Sequence, residues 1–251
     1  MAIKTRKISD WLSANGQAVT NASKATMEDA IMADIGQLYD GVFIMFHRTS
    51  DNYPIAVRVS SWASYQASGE IAEGVLLVEG GRHLVIAPTE ASSAKWSSKP
   101  ASSSDTSGSV QISGVTTTIN RITALNDFAG LANTTAIING STSSNVTNTE
   151  DYAAGFCNRY SRTNANGKGM TAGKWWFPSM GEMTMIWANF DKINYALSKI
   201  SGATLLQESW YWTSTQNSAN YAWPLNMNDG IMSIIWKFEQ LSVRPVSAFL
   251  N

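Results

Sequence analysis

The side chains able to do covalent or metal chemistry are few. The 251 residues contain two histidines, His47 and His83, and one cysteine, Cys157. Two imidazoles and a thiol could in principle build a nucleophilic site. Here the three are far apart in sequence, and no residue at catalytic spacing surrounds any of them. One cysteine excludes an intramolecular disulfide and any zinc site built on two thiolates. Phosphate-cradling glycine loops, the two-histidine zinc helix and the serine elbow of the hydrolases are all missing. Asn226-Met227-Asn228-Asp229-Gly230 has calcium-loop residue types but lacks the alternating acids and the distal Glu. It reads as a turn, with Asn-Asp-Gly supplying the positive-φ positions. The expectation is a protein without catalysis, cofactor or metal.

What the chain has in quantity is aromatic and neutral polar surface. It carries ten tryptophans, and charged residues make up only 15%, well under the usual ~25%. Eighteen basic against nineteen acidic side chains leave a net charge of −1, which supplies no field for nucleic acid or anionic lipid. The N-terminus, Met-Ala-Ile-Lys-Thr-Arg-Lys followed by Ile-Ser-Asp-Trp-Leu-Ser, lacks the apolar core of a secretory signal. No run approaches the ~20 apolar residues of a membrane span. Folding in a cytoplasm without membrane insertion is expected, with a particle as the route to a cell exterior.

The elements that position these residues can be read from periodicity. Residues 1–40 have helical spacing at Met27, Ile31, Ile35 and Leu38. Gly41–Phe46 and Ile55–Ser60 read as strands around the turn Asp51-Asn52-Tyr53-Pro54. Gly74–Glu79 and His83–Ala87 flank Gly80-Gly81-Arg82 as a hairpin. The serine-dominated stretch 92–113 reads as a loop, and 115–148 as irregular chain with short elements. Glu150–Ser161 is a short helix with Cys157 on its buried stripe. The clearest helix starts at a Ser179-x-x-Glu182 capping box and runs through Ile186, Phe190, Ile193 and Leu197 to Gly202. Strands and turns come next at 210–214, 222–226, 231–241 and 243–249, giving an α+β fold.

One ordered series is more specific. Trp175-Trp176-Phe177-Pro178-Ser179-Met180-Gly181-Glu182 is followed by Tyr211-Trp212-Thr213-Ser214-Thr215-Gln216. Then come Ala222-Trp223, an Asn-Asp-Gly turn, Lys237 and Val243-Arg244-Pro245-Val246. Over roughly residues 70–251 this resembles the bacterial C-type-lectin-like proteins. It is most similar to the variable proteins diversified by retroelements in gut Bacteroides and their phages. The resemblance implies a C-type lectin-like fold of the formylglycine-generating-enzyme-like subtype. A lone Cys157 argues against the oxidase chemistry of that subtype, and the calcium-dependent sugar motif of animal lectins is absent.

The resemblance further implies a domain over 66–251 and a variable region at about 209–242. Residues 1–65 are too few to bury a generous core alone, and their apolar strands need partners in that domain or in another copy, so they are expected to serve attachment or oligomerisation, with a homotrimer as one arrangement. The implied function is recognition of a protein or glycan receptor on a cell surface, from a phage tail tip or a bacterial surface. The alternative is an invariant structural phage or surface component of the same fold. The implied ligand residues are Asn217, Asn220, Tyr221, Pro224, Asn226, Asn228, Ile231, Ser233, Ile234, Ile235, Trp236, Phe238, Glu239, Gln240 and Leu241. Asparagine codons changed only at adenines do not yield Trp, Glu or Gln. Trp236, Glu239 and Gln240 are therefore fixed or descend from other adenine-bearing codons. As a strand, 231–241 places Met232, Ile234, Trp236 and Phe238 on one side. Trp212 and Trp223 are expected buried, Trp236 and Phe238 exposed. Arg244 is expected to satisfy loop carbonyls or an internal acid.

Overall fold

A computed structural model describes residues 40–97, 111–140 and 149–248. The helix expected within 1–40 lies outside the described residues. The first strands form where β-branched and aromatic residues concentrate: β1 (Gly41–His47) and β2 (Pro54–Arg58). A short helix α1 (Trp62–Ala67) leads to β3 (Gly74–Glu79) and β4 (Arg82–Ile86). Gly80 and Gly81 both take positive φ at the turn between them, the conformation glycine adopts without steric cost. These four strands and β12 (Val246–Ser247) make an antiparallel sheet in the order β12-β4-β3-β1-β2.

That sheet runs across the boundary expected near residue 65. β1 is hydrogen-bonded to β3 from Gly41↔Val78 to Met45↔Gly74, so residues 41–58 share one sheet with β3 and β4. The apolar strands that needed a partner have it within the chain.

The second sheet holds the C-terminal strands in the order β10-β9-β8-β11-β5. These are β5 (Ala91–Lys95), β8 (Trp210–Gln216), β9 (Tyr221–Asn226), β10 (Ile235–Trp236) and β11 (Gln240–Val243). β5 occupies the start of the serine-rich stretch read as loop; β11 gives it a partner at Leu241↔Ala94. A two-stranded ribbon, β6 (Arg162–Thr163) with β7 (Gly169–Met170), completes the strands described.

Helices pack between and beside the sheets: α2 (Arg121–Leu125), α3 (Gly130–Gly140), α4 (Ala153–Arg159), α5 (Met180–Ala188) and α6 (Phe190–Leu197). The 11-residue α3 sits inside the stretch read as mostly irregular. Its buried face is Gly130, Asn133, Thr134 and Ile137, which carries almost no apolar period. The long helix expected from Ser179 is two helices. Asn189 leaves helical geometry at φ −116°, ψ 20°, and its side-chain amide donates to Glu79 Oε2 and Met185 O. Such competition for backbone groups is why Asn ends helices. The Ser179–Glu182 capping box does form, with Glu182 accepting from the Ser179 amide at 2.7 Å.

The main core lies between the first sheet, α5 and α6, and β9. It includes Phe46, Trp62, Leu77, Met183, Ile193 and Trp223. A second cluster gathers Trp96, Ile137, Cys157, Phe177 and Trp212 beneath the second sheet. Cys157 is fully buried, and burial pushes its thiol pKa well up, so it behaves as a small apolar side chain. The α+β class stands.

Candidate ligand-binding surface

The surface grows from β8, which is buried from Tyr211 to Gln216. Trp212 has no exposure; its indole N–H donates to Ala94 O at 3.1 Å and Glu239 O at 3.3 Å. The Trp96 indole donates to Thr213 O, and that of Trp223 to Thr118 O at 2.8 Å. Large rings with satisfied N–H groups brace a backbone of short strands. Below them Asp127 Oδ2 accepts from Thr215 and Asn133, and Oδ1 from Thr116 and the Ala129 amide. Arg244 is fully buried, and its partners are of the kinds the sequence predicts. It donates to Ala87 O and Thr204 O and pairs with Glu90 at 2.8 Å.

The chain leaves this frame at Asn217. Asn217 and Ser218 amides both donate to Tyr221 O, closing the turn into β9. β10 then returns antiparallel, with Ile235↔Ala222 and Trp236↔Tyr221, and the bridge Leu225↔Met232 extends the same register. Ile234 therefore stands opposite Trp223, on one face with the Tyr221–Trp236 pair. The ring centroids of Tyr221 and Trp236 are 4.4 Å apart. Trp236 and Phe238 stack at 5.7 Å and 27°. All three rings are half-buried.

These placements correct the reading of 231–241 as one alternating strand. The single face holding Met232, Ile234 and Trp236 runs out of the core, so Met232 is buried, Ile234 exposed and Trp236 intermediate. The strand then breaks at Lys237. Its amide donates to Asn220 O, and its carbonyl accepts from the Trp96 and Ser97 amides. Trp236 and Phe238 are thus neither enclosed nor widely exposed, because each covers the next ring.

Lys237 itself is buried, with Nζ donating to Gln216 Oε1 at 2.6 Å and lying 4.1 Å from the centre of the Trp96 ring. Burial pulls its pKa down to about 7. Gln216 also accepts from the Ile112 amide and donates to Ile112 O, so Lys237 pins the excursion to the frame.

The remaining predicted positions divide by exposure. Asn228, Ile231, Ile234, Glu239 and Gln240 are exposed; Asn217, Asn220, Asn226, Ser233, Ile235 and Leu241 are half-buried. Pro224 is buried beside Trp212 in the β8–β9 pairing; it is corrected from ligand position to framework. Ile235 and Leu241 pack on the second core cluster. Asn220 Oδ1 is buried without a hydrogen-bond partner. The 226–230 segment is the expected turn: Asn226 Oδ1 accepts from the Asn228 amide, and Gly230 takes φ 73° against the Trp187 ring. Sequence reasoning missed Ile119 and Ile122. They are exposed next to Thr118, and the only signal was large aliphatics without periodic partners.

No protein-family model matches the chain, and no curated protein matches it. Among solved structures it is similar to a fimbrial protein from Bacteroides ovatus ATCC 8483, with 18% identity and a TM-score of 0.46. The likeness covers 66% of this chain and 36% of that one, so this chain matches only about a third of that protein's length. No described helix is long and apolar enough to cross a membrane. Among the described residues no cluster of three or more metal-ligating side chains occurs.

Proposed function

We propose that the chain is a non-catalytic recognition protein of C-type-lectin-like fold, in its formylglycine-generating-enzyme-like subtype. The 209–242 region presents a diversified surface to a protein or glycan receptor on a cell, from a phage tail tip or a bacterial surface. The observation that carries this is the half-buried series Tyr221, Trp236, Phe238, with Asn217 and Asn220 in the turn that leads into Tyr221 and exposed Glu239 and Gln240 directly after Phe238. Aromatic rings held rigid among neutral amides are the composition of binding hot spots.

The test uses the labelled full chain on intact bacterial cells and a glycan array. Tyr221→Ala with Phe238→Ala should abolish binding and shift the melting temperature by only a few degrees. Binding that survives unchanged removes the reading. Burial of Pro224, Met232 and Lys237 favours a second reading, an invariant structural component of the same fold. The locus separates them: a near-identical DNA repeat differing only at adenines, beside a reverse transcriptase gene, belongs to the diversified form alone.

A further inference from the structure

The break between α5 and α6 borders a cavity that none of the three stacked rings lines. Its volume is about 430 Å³, within the roughly 300–1,000 Å³ usual for small-molecule sites. Half-buried Trp187 and Phe190, the neighbours of Asn189 across the break, line one part of it. Glu208, from the chain before β8, and buried Met227 with Asn228, from the turn after β9, line the rest. Gly230 lets that turn come close, since a Cβ there would lie 2.5 Å from the Trp187 ring. Tyr221 and Asn226 are the two ends of β9, so the stacked rings and this cavity are separated by the length of the strand, about 17 Å.

The lining offers what a sugar ring needs. A pyranose has a face of C–H bonds, which packs on the electron-rich face of an aromatic ring, and a rim of hydroxyls that both donate and accept. Trp187 and Phe190 supply the rings. Exposed Asp191 and Glu208 supply acceptors, Asn228 supplies both kinds of group, and Lys192 is a donor tethered to Asn189 Oδ1 at 3.2 Å. One more donor is unclaimed. The indoles of Trp62, Trp96, Trp175, Trp176, Trp212 and Trp223 each donate to a protein acceptor, whereas that of Trp187 has none among the described residues. Two carboxylates disfavour an anionic ligand, and Lys192 among them disfavours a cation, because like charges brought together cost binding energy. A neutral polyol meets neither penalty.

The geometry points to this cavity as a binding site for a neutral saccharide unit. Asp191, Lys192, Glu208 and Asn228 are all exposed, which puts its mouth at the surface, where the end of a longer glycan can enter. The site is separate from the aromatic series and does not depend on what that series binds; it takes Asn228 out of that series' ligand set.

The test is an NMR titration of the isotope-labelled full chain with the methyl glycosides of glucose, galactose, mannose and N-acetylglucosamine. The readout is the Trp187 indole resonance, assigned by its loss in Trp187→Phe. At least one glycoside should shift it saturably. Asp191→Ala with Glu208→Ala should weaken that binding at least tenfold; both side chains are exposed, so circular dichroism should be unchanged. Tyr221→Ala with Phe238→Ala should leave the titration as it is, which separates this site from the aromatic one. A resonance that no glycoside moves overturns the proposal. So does a dissociation constant that the Asp191–Glu208 variant leaves unaltered, and so does a response to tetramethylammonium alone, which would give the carboxylates to a cation.

Discussion

Strand β8 and the excursion beyond it are adjacent in sequence and opposite in construction. From Tyr211 to Gln216 every side chain is buried, and Trp212, Thr213, Thr215 and Gln216 each reach a named partner. From Asn217 to Gln240 buried and exposed residues alternate irregularly, the strand pairing is two residues long at β10, and one buried acceptor goes unpaired. The fold concentrates polar contacts along β8, while Arg244 Nε elsewhere in the frame is, like Asn220 Oδ1, buried without a partner among the described residues. It leaves the excursion held at a few points: Trp236 on Tyr221, Lys237 on Gln216, and the Trp96 and Ser97 amides on the Lys237 carbonyl.

The difference predicts a graded response to substitution. The largest effect belongs to the frame: Trp212→Ala should cost about 3–5 kcal/mol, and Arg244→Ala a similar amount by leaving Glu90 buried without its cation. Urea denaturation with an unchanged m-value measures both. A loss under about 1 kcal/mol at Trp212 would mean that the frame is no more specified than the excursion.

Titration gives an intermediate effect, of opposite sign in the two regions. Glu182, in the frame, has its pKa raised to about 7, chiefly by burial. Its contribution is full below the unfolded value and is lost as pH rises through about 7. Lys237, at the hinge of the excursion, has its pKa lowered to about 7 by burial. Its contribution is full above the unfolded value of 10.5 and is lost as pH falls toward 7. Together the two groups predict a shallow stability minimum near neutral pH. Glu182→Gln should flatten the acid limb and Lys237→Met the alkaline limb, read as melting temperature against pH. Gln216 Oε1 keeps the Ile112 amide as donor, so Lys237→Met leaves no orphaned acceptor.

The smallest effect belongs to positions outside the core clusters, exposed Ile231 and half-buried Tyr221, Ser233 and Phe238. Changing Tyr221, Ile231, Ser233 and Phe238 together should move the melting temperature by a few degrees, since surface changes stay within ~0.5 kcal/mol each. Ile235, packed on the second core cluster, is the sharpening control. Adding Ile235→Ser should destabilise distinctly more than the other four combined.

Legibility in the sequence divides along the same line. The Ser179–Glu182 box, the Gly80-Gly81 turn, buried Trp212 and Trp223, and the partners of Arg244 were all readable, because each rests on local chemistry or on a residue type that has one stable environment. The course of 231–241 was not. Alternation assigns sides only to a straight strand, and this one is interrupted at Lys237 by main-chain bonds to residues 96 and 97. Helix α3 escaped for a related reason: its buried face is Asn133 and Thr134, held by Asp127 and the Phe177 carbonyl, and polar burial leaves no period to read. The break at Asn189 depends on Glu79, 110 residues away. Distant partners of that kind are invisible to a window of neighbours.

The parallel pairing of β11 with β8 at Ser242↔Tyr211 has a consequence for chain length. Because the pairing is parallel, the excursion leaves at the far end of β8 and re-enters beside its start, a span of roughly 20 Å at ~3.3 Å per residue, while the turn within it is closed locally by the Asn226 amide on Ile231 O. Closing a loop across a fixed gap costs free energy only as the logarithm of its length, about 0.6 kcal/mol for each doubling. Residues inserted at the exposed Asn228-Asp229 tip would lengthen the loop without stretching the frame. Reach, as well as side-chain identity, is a quantity this architecture can vary.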